Sequence, residues 1–161
     1  MIKKTKNTII LLDIDDVLFD TAHFKKSELT EYRLYEDVEE VLHALKKMGE
    51  VGILSQGEHE FQIKKLTQTG IHTLFVQEHV HIVEKKDESL SKVLHKYKNV
   101  NATIYFVDDR LSGLYYAKKA LPNMVTIWFR RGRYASSQPS IPEFEPDVVI
   151  DNFSEIMNVV K

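Results

Sequence analysis

A chain of 161 residues with 29% charged residues and a formal net charge of -2 is long enough to bury one well-packed core. It carries no global basic field that would make nucleic acid an obligate partner. It has no cysteine, which removes disulfides, thiol catalysis and thiolate-held metals and fits a reducing compartment. The opening MIKKTKNTIILLDIDD is basic and then apolar, but the apolar run ends at acids after Leu12, too short for a signal peptide or a membrane span. The expectation is a cytoplasmic, soluble chain forming a single domain over 1–161.

The run Ile9–Leu12 is aliphatic, partly β-branched, and stops abruptly at Asp13, Asp15 and Asp16, the pattern of a central parallel strand buried on both faces. A polar stretch follows from Asp20 to Glu36. Val38, Val41, Leu42 and Leu45 then recur at helical spacing, with Gly49 marking the end. VGILS from Val51 reads as a second strand, and Phe61, Ile63 and Leu66 mark a helix that stops at Gly70. TLFVQ predicts a third strand, and DESLSKVLHKY a helix with Asp87 as its cap. ATIYFVDD is a fourth strand ending in Asp108 and Asp109. LSGLYYAKKAL is a helix closing before Pro122, VTIWF a fifth strand, and DVVIDNFSEIMNVV a short strand leading into a final helix. Between these last two strands RRGRYASSQPSIPEFEP, with three prolines, predicts a loop. The alternation predicts an α/β, three-layer, Rossmann-like fold, a central parallel sheet flanked by helices and joined by right-handed crossovers.

Both acidic strand ends fall on the same edge of such a sheet, where open α/β folds bind ligands. A lone Asp after a strand is ordinarily a helix cap or a solvated turn residue. Two clusters on one edge are different, because like charges that close are costly unless a cation neutralises them. An oxygen-only donor set suits Mg²⁺.

The stretch LLDIDDVLF resembles the first motif of the haloacid dehalogenase superfamily. GILSQG is similar to its second motif, Lys86 sits where the third places its lysine, and IYFVDDR is similar to the fourth. All stand in family order between Ile9 and Arg110. The resemblance implies a Mg²⁺-dependent phosphomonoester phosphatase acting through an aspartyl phosphate. Asp13 is then the nucleophile and Asp15 the general acid and base, with Asp16 a turn or capping residue. Mg²⁺ would be held by Asp13, by the backbone carbonyl of Asp15 and by Asp109, with Asp108 a second ligand or its support. Ser55, the backbone donors of Gln56 and Gly57, and Lys86 would hold the phosphoryl group, Lys85 being an equal candidate on charge. A dehalogenase would need neither the metal nor Asp15. A regulatory phosphate-binding protein or another phosphotransferase of the superfamily are the alternatives. The implied partner is a phosphorylated small molecule, nucleotide or phosphoprotein, with no membrane and homo-oligomerisation left open.

Many superfamily members insert a cap between the first and second motifs, but Asp20–Glu36 is too short for a full one. That implies an open site for a bulky phosphate, or a lid from a neighbouring subunit. His23, Phe24, Tyr32 and Tyr35 either form a small flap or pack the loop down. Arg130, Arg131 and Arg133 follow the fifth strand and either bind a second phosphate or are solvated. His79 and His81 alternate as on one strand face, which predicts surface rather than zinc. Trp128 is expected in the core.

Overall fold

The computed structural model describes residues 7–161, so the basic opening Met1–Lys6 lies outside the described residues. Six parallel strands form one sheet: β1 (Asn7–Leu12), β2 (Glu50–Gln56), β3 (Val80–Val83), β4 (Ala102–Asp108), β5 (Val125–Phe129) and β6 (Val148–Ile150). Their order is β3-β2-β1-β4-β5-β6. β1 is central, pairing with β2 on one side and β4 on the other. Its period of two explains the unbroken apolar run: Ile10 and Leu12 enter one core layer, Ile9 and Leu11 the other. The chain winds outward in opposite directions from β1 and β4, so their carboxyl ends flank the crevice where the strand order reverses.

The helices are α1 (Thr21–Lys26), α2 (Val38–Met48), α3 (His59–Gln68), α4 (Leu90–Leu94), α5 (Leu111–Ala120) and α6 (Tyr134–Ser137). The face of α2 formed by Val38, Val41, Leu42 and Leu45 is buried as its spacing predicts. Among the described residues no helix is long and apolar enough to cross a membrane.

Several elements depart from expectation. TLFVQ is not a strand: His72–Leu74 and Gln77–His79 are 3₁₀ turns, and the third strand is Val80–Val83. Phe75 plugs the main core from the loop between the turns, so the apolar run is explained by burial without pairing. The predicted helix from Asp87 shortens to α4 and a 3₁₀ turn, His95–Tyr97; the Asp87 carboxylate accepts the Ser89 N–H in the turn before it. The last helix is a 3₁₀ helix, Phe153–Asn158, started by an Asn152–Glu155 capping box. The long loop contains α6. On α3 it is Gln62, Lys65 and Leu66 that are buried, while Phe61 is 38% exposed.

The segment between β1 and α2 packs down as α1 and a short loop. Asp20 caps α1 by accepting the His23 N–H. Phe24 is buried, its ring centroid 5.4 Å from that of Phe19 and 4.9 Å from that of Tyr32. Two consecutive left-handed residues, Glu28 and Leu29, end it and leave Leu29 exposed at the crevice mouth. His79 is buried rather than on the surface: its Nδ1 lies 2.9 Å and His81 Nε2 lies 2.7 Å from the Tyr97 hydroxyl, so hydrogen bonding offsets its burial. Trp128 is only half-buried and donates its indole N–H to the Asp109 carbonyl at 3.1 Å.

Candidate active site

Asp13 leaves β1 where β4 still runs beside it, its N–H bonded to the Val107 carbonyl at 3.0 Å. That register sets Asp13 against Asp108 and Asp109 at the end of β4. All three are buried, and each offers an oxygen within 4.8 Å of the others. Lys86 closes the cluster, its Nζ 3.0 Å from Asp13 Oδ1 and 2.7 Å from Asp108 Oδ2. Lys85 is exposed, so the lysine in the site is Lys86. The loop that carries it is tied to β2 by the Lys86 N–H, which donates to the Gln56 side-chain oxygen at 2.9 Å.

Both Asp108 oxygens are already engaged, Oδ2 by Lys86 and Oδ1 by the Arg110 N–H at 3.0 Å. Burial pushes the Asp13 carboxyl up to about 7, against the pull of Lys86. Burial, then the charges of Asp108 and Asp13, push Asp109 up to about 10. Burial disfavours the charged ammonium of Lys86, but Asp108 and Asp13 outweigh it and hold its pKa above the ordinary lysine value. Carboxylates held this close in a dry site match the oxygen donors of a hard divalent cation, whose charge would relieve their repulsion. Gly113 permits the close approach of α5: a Cβ there would lie 2.2 Å from Asp108 Oδ2.

Asp15 points into the crevice, its side chain 32% exposed, and is gripped by α3. Lys65 Nζ donates to its Oδ1 at 2.6 Å, and Gln62 donates to its Oδ2 at 3.1 Å. The same Gln62 nitrogen lies 2.9 Å from the Ser55 hydroxyl, which is fully buried at the end of β2. Gln56, rather than Ser55, lines the crevice. Asp16 adopts a left-handed conformation at φ 60°, accepts the Tyr35 hydroxyl at 3.0 Å, and touches the backbone of Gly132.

The sequence pattern did not reveal Lys65 or Gln62. Their signal is a helical phase, shared with Leu66, visible only once the buried face of α3 is known. The three arginines after β5 separate. Arg130 forms a two-point pair with Asp151 at 2.7 Å, and Arg131 binds Asp37 at 2.9 Å and the Val17 carbonyl at 3.0 Å while stacking on Tyr35 and Phe129. Arg133 alone of the three lines the crevice, a cavity of about 320 Å³.

A parallel α/β sheet with a buried acid cluster and a lysine at the strand-order reversal defines a class: open α/β proteins whose functional crevice lies at the carboxyl ends of their central strands. More narrowly, the chain belongs to the haloacid dehalogenase-like hydrolase family, whose model matches residues 11–120. It is 29% identical over 133 residues to a glyceraldehyde 3-phosphate phosphatase of Methanopyrus kandleri, a match that covers 79% of this chain and 56% of that protein, so the chain spans little more than half of that relative. Its fold resembles a Burkholderia xenovorans LB400 protein classed as a haloacid dehalogenase-like hydrolase (TM-score 0.74, 21% identity, 96% of each chain). It also resembles a Bacillus subtilis protein classed in the same family and bound to magnesium (TM-score 0.74, 13% identity, 98% of this chain and 100% of that one).

Proposed function

We propose that this chain is a phosphomonoester phosphatase that works with Mg²⁺ through an aspartyl phosphate on Asp13. The observation that carries the reading is Lys86 lying between Asp13 and Asp108 with Asp109 in the same buried cluster. Asp13 and Asp109, with the backbone carbonyl of Asp15, would hold Mg²⁺, and Asp108 would orient Lys86 and the Arg110 backbone rather than bind the ion, since both its oxygens are engaged. When bound, the ion neutralises the phosphoryl oxygens and the carboxylates that face them.

Asp13 attacks phosphorus, the bond to the ester oxygen breaks, and that oxygen takes a proton from Asp15. Water then attacks the acylphosphate with Asp15 accepting its proton, which releases phosphate and restores Asp13. Lys65 and Gln62 fix the position of Asp15 for both proton transfers. Lys86 supplies positive charge to the phosphoryl oxygens. Ser55 contributes from beneath, through Gln62 or directly after Gln62 turns away, and the Gln56 N–H supplies a further donor, whereas the Gly57 N–H, expected beside it, is spent on the Val83 carbonyl at 2.9 Å. The relative's named activity, phosphate removal from a small phosphorylated molecule, supports the same reaction class here. Residues 1–161 act in this reading as one domain, with α1 packed at the rim of the crevice.

The test is phosphate release from p-nitrophenyl phosphate and glyceraldehyde 3-phosphate, with Mg²⁺ and with chelator. Turnover should need Mg²⁺ and fall by about 10³-fold or more in Asp13→Asn, with the circular dichroism spectrum unchanged. Near-normal turnover in that variant would refute the mechanism.

A further inference from the structure

We propose that the crevice takes a phosphomonoester bearing a second anionic group, a carboxylate or another phosphate, bound by Arg110 and Arg133. The proposal deepens the phosphatase reading and rests on it for the placement of the first phosphate.

The charged lining of the crevice divides by depth. Its carboxylates, Asp13, Asp15, Asp16 and Asp109, form the floor, which Lys65 and Lys86 partly neutralise. The remaining charged lining residues are cations: Lys25 on the flap, and Arg110 and Arg133 on the opposite wall. Among the described residues neither arginine has a carboxylate partner, whereas the neighbouring Arg130 and Arg131 each have one. Arg133 lines the crevice and donates to the hydroxyl of Tyr134, which lines it too. Gly132 lies close against the Asp16 side chain, with no room there for a Cβ.

Both guanidinium groups also pack against one ring. Arg110 lies 4.1 Å and Arg133 lies 4.6 Å from the centroid of the Tyr134 ring, so one ring supports both. Gln138 pins the segment to the corner after β4, donating to the Asp109 carbonyl at 2.9 Å and accepting the Leu111 N–H at 2.8 Å. A pair of guanidinium groups held by a shared ring and a braced backbone loses little freedom when it grips an anion. The planar donor fork suits carboxylate and phosphate alike. A substrate whose transferred phosphoryl meets Asp13 would extend its remainder between these arginines and the apolar flap side of Phe24, Leu29 and Phe61.

The experiment compares kcat/KM, at saturating Mg²⁺, within two matched pairs: 3-phosphoglycerate against glycerol 3-phosphate, and fructose 1,6-bisphosphate against fructose 1-phosphate. The first pair tests a carboxylate and the second a phosphate. At least one pair should favour the doubly anionic member by about tenfold or more. Arg110→Gln and Arg133→Gln should each shrink that ratio several-fold, and the double variant should bring it near one. Neither side chain holds a helix cap or ion pair, so the fold should survive. If the wild type shows no preference in either pair, or the variants slow all four substrates equally, the arginines only steer phosphate and the proposal is overturned. Calorimetry with Asp13→Asn, Mg²⁺ and the same four compounds separates this from a failure of the phosphatase reading. Absence of all hydrolysis with a surviving, arginine-dependent binding preference sinks only the chemistry, and equal or absent binding sinks the second-anion site.

Discussion

Replacing Asp109 by Asn should stabilise the metal-free protein and abolish its response to Mg²⁺. Asp109 is 2% exposed, and burial with the charges of Asp108 and Asp13 pushes its carboxyl from 3.8 to about 10. A carboxyl raised in the folded state binds more protons folded than unfolded, so its stabilising contribution is complete below about 4 and drains away as pH rises towards 10. From 3.8 to neutral pH, at about 1.4 kcal/mol per pH unit, the ceiling on the penalty is roughly 4 kcal/mol. Because Asp13 and Asp108 share the titration, about half of that, roughly 2 kcal/mol, is the expected effect of removing one ionisable carboxyl. For a chain of this length that corresponds to a rise in Tm of about 5 °C. The assay is thermal unfolding of both proteins in chelator from pH 5 to pH 8, repeated with millimolar Mg²⁺. The Asn variant should gain on the wild type as pH rises, and Mg²⁺ should lift only the wild type, by binding the folded state. A variant that melts below the wild type in chelator at pH 8, or a difference that does not change with pH, would refute the reasoning.

Lys65→Met should lower kcat about tenfold while changing KM little, measured in single-turnover phosphate release, because Asp15 loses the 2.6 Å contact that positions it but the phosphate cradle stays intact. At the other end of the sheet, burial, then the charges of Lys96 and His79, lower His81 to about 4. An imidazole lowered in the folded state binds fewer protons than in the unfolded chain, so its stabilising contribution is present above about 6.5 and is lost as pH falls towards 4. His81→Gln should flatten the fall in Tm between pH 7 and pH 5, and an unchanged slope would show that burial does not hold the imidazole neutral.

The frame of the fold was legible because its signals are local. The unbroken aliphatic run of β1, the helical spacing of Val38 to Leu45 and the acids closing β1 and β4 each state their own burial and direction. TLFVQ failed for a reason of the same kind: an apolar run of strand length reports burial, not pairing, and Phe75 buries itself from a loop. The helix from Asp87 was overextended because its polar, capping-rich start supports a turn as well as it supports a helix.

By itself the sequence determined that acids would gather at one edge of a parallel sheet, since period-two strands ending in Asp13 and Asp108 allow no other outcome once they run parallel. On charge Lys85 equalled Lys86, and only its place beside Asp87 favoured Lys86; in the tertiary structure the loop from β3, tied to Gln56, is what brings Lys86 to Asp13. The tertiary structure alone also brought Lys65 to Asp15, 50 residues away in the chain, and divided three adjacent arginines among Asp151, Asp37 and the crevice. Periodicity along a chain encodes which face an element buries, but ion pairs depend on distances between elements, and those exist only after the sheet and its helices have packed.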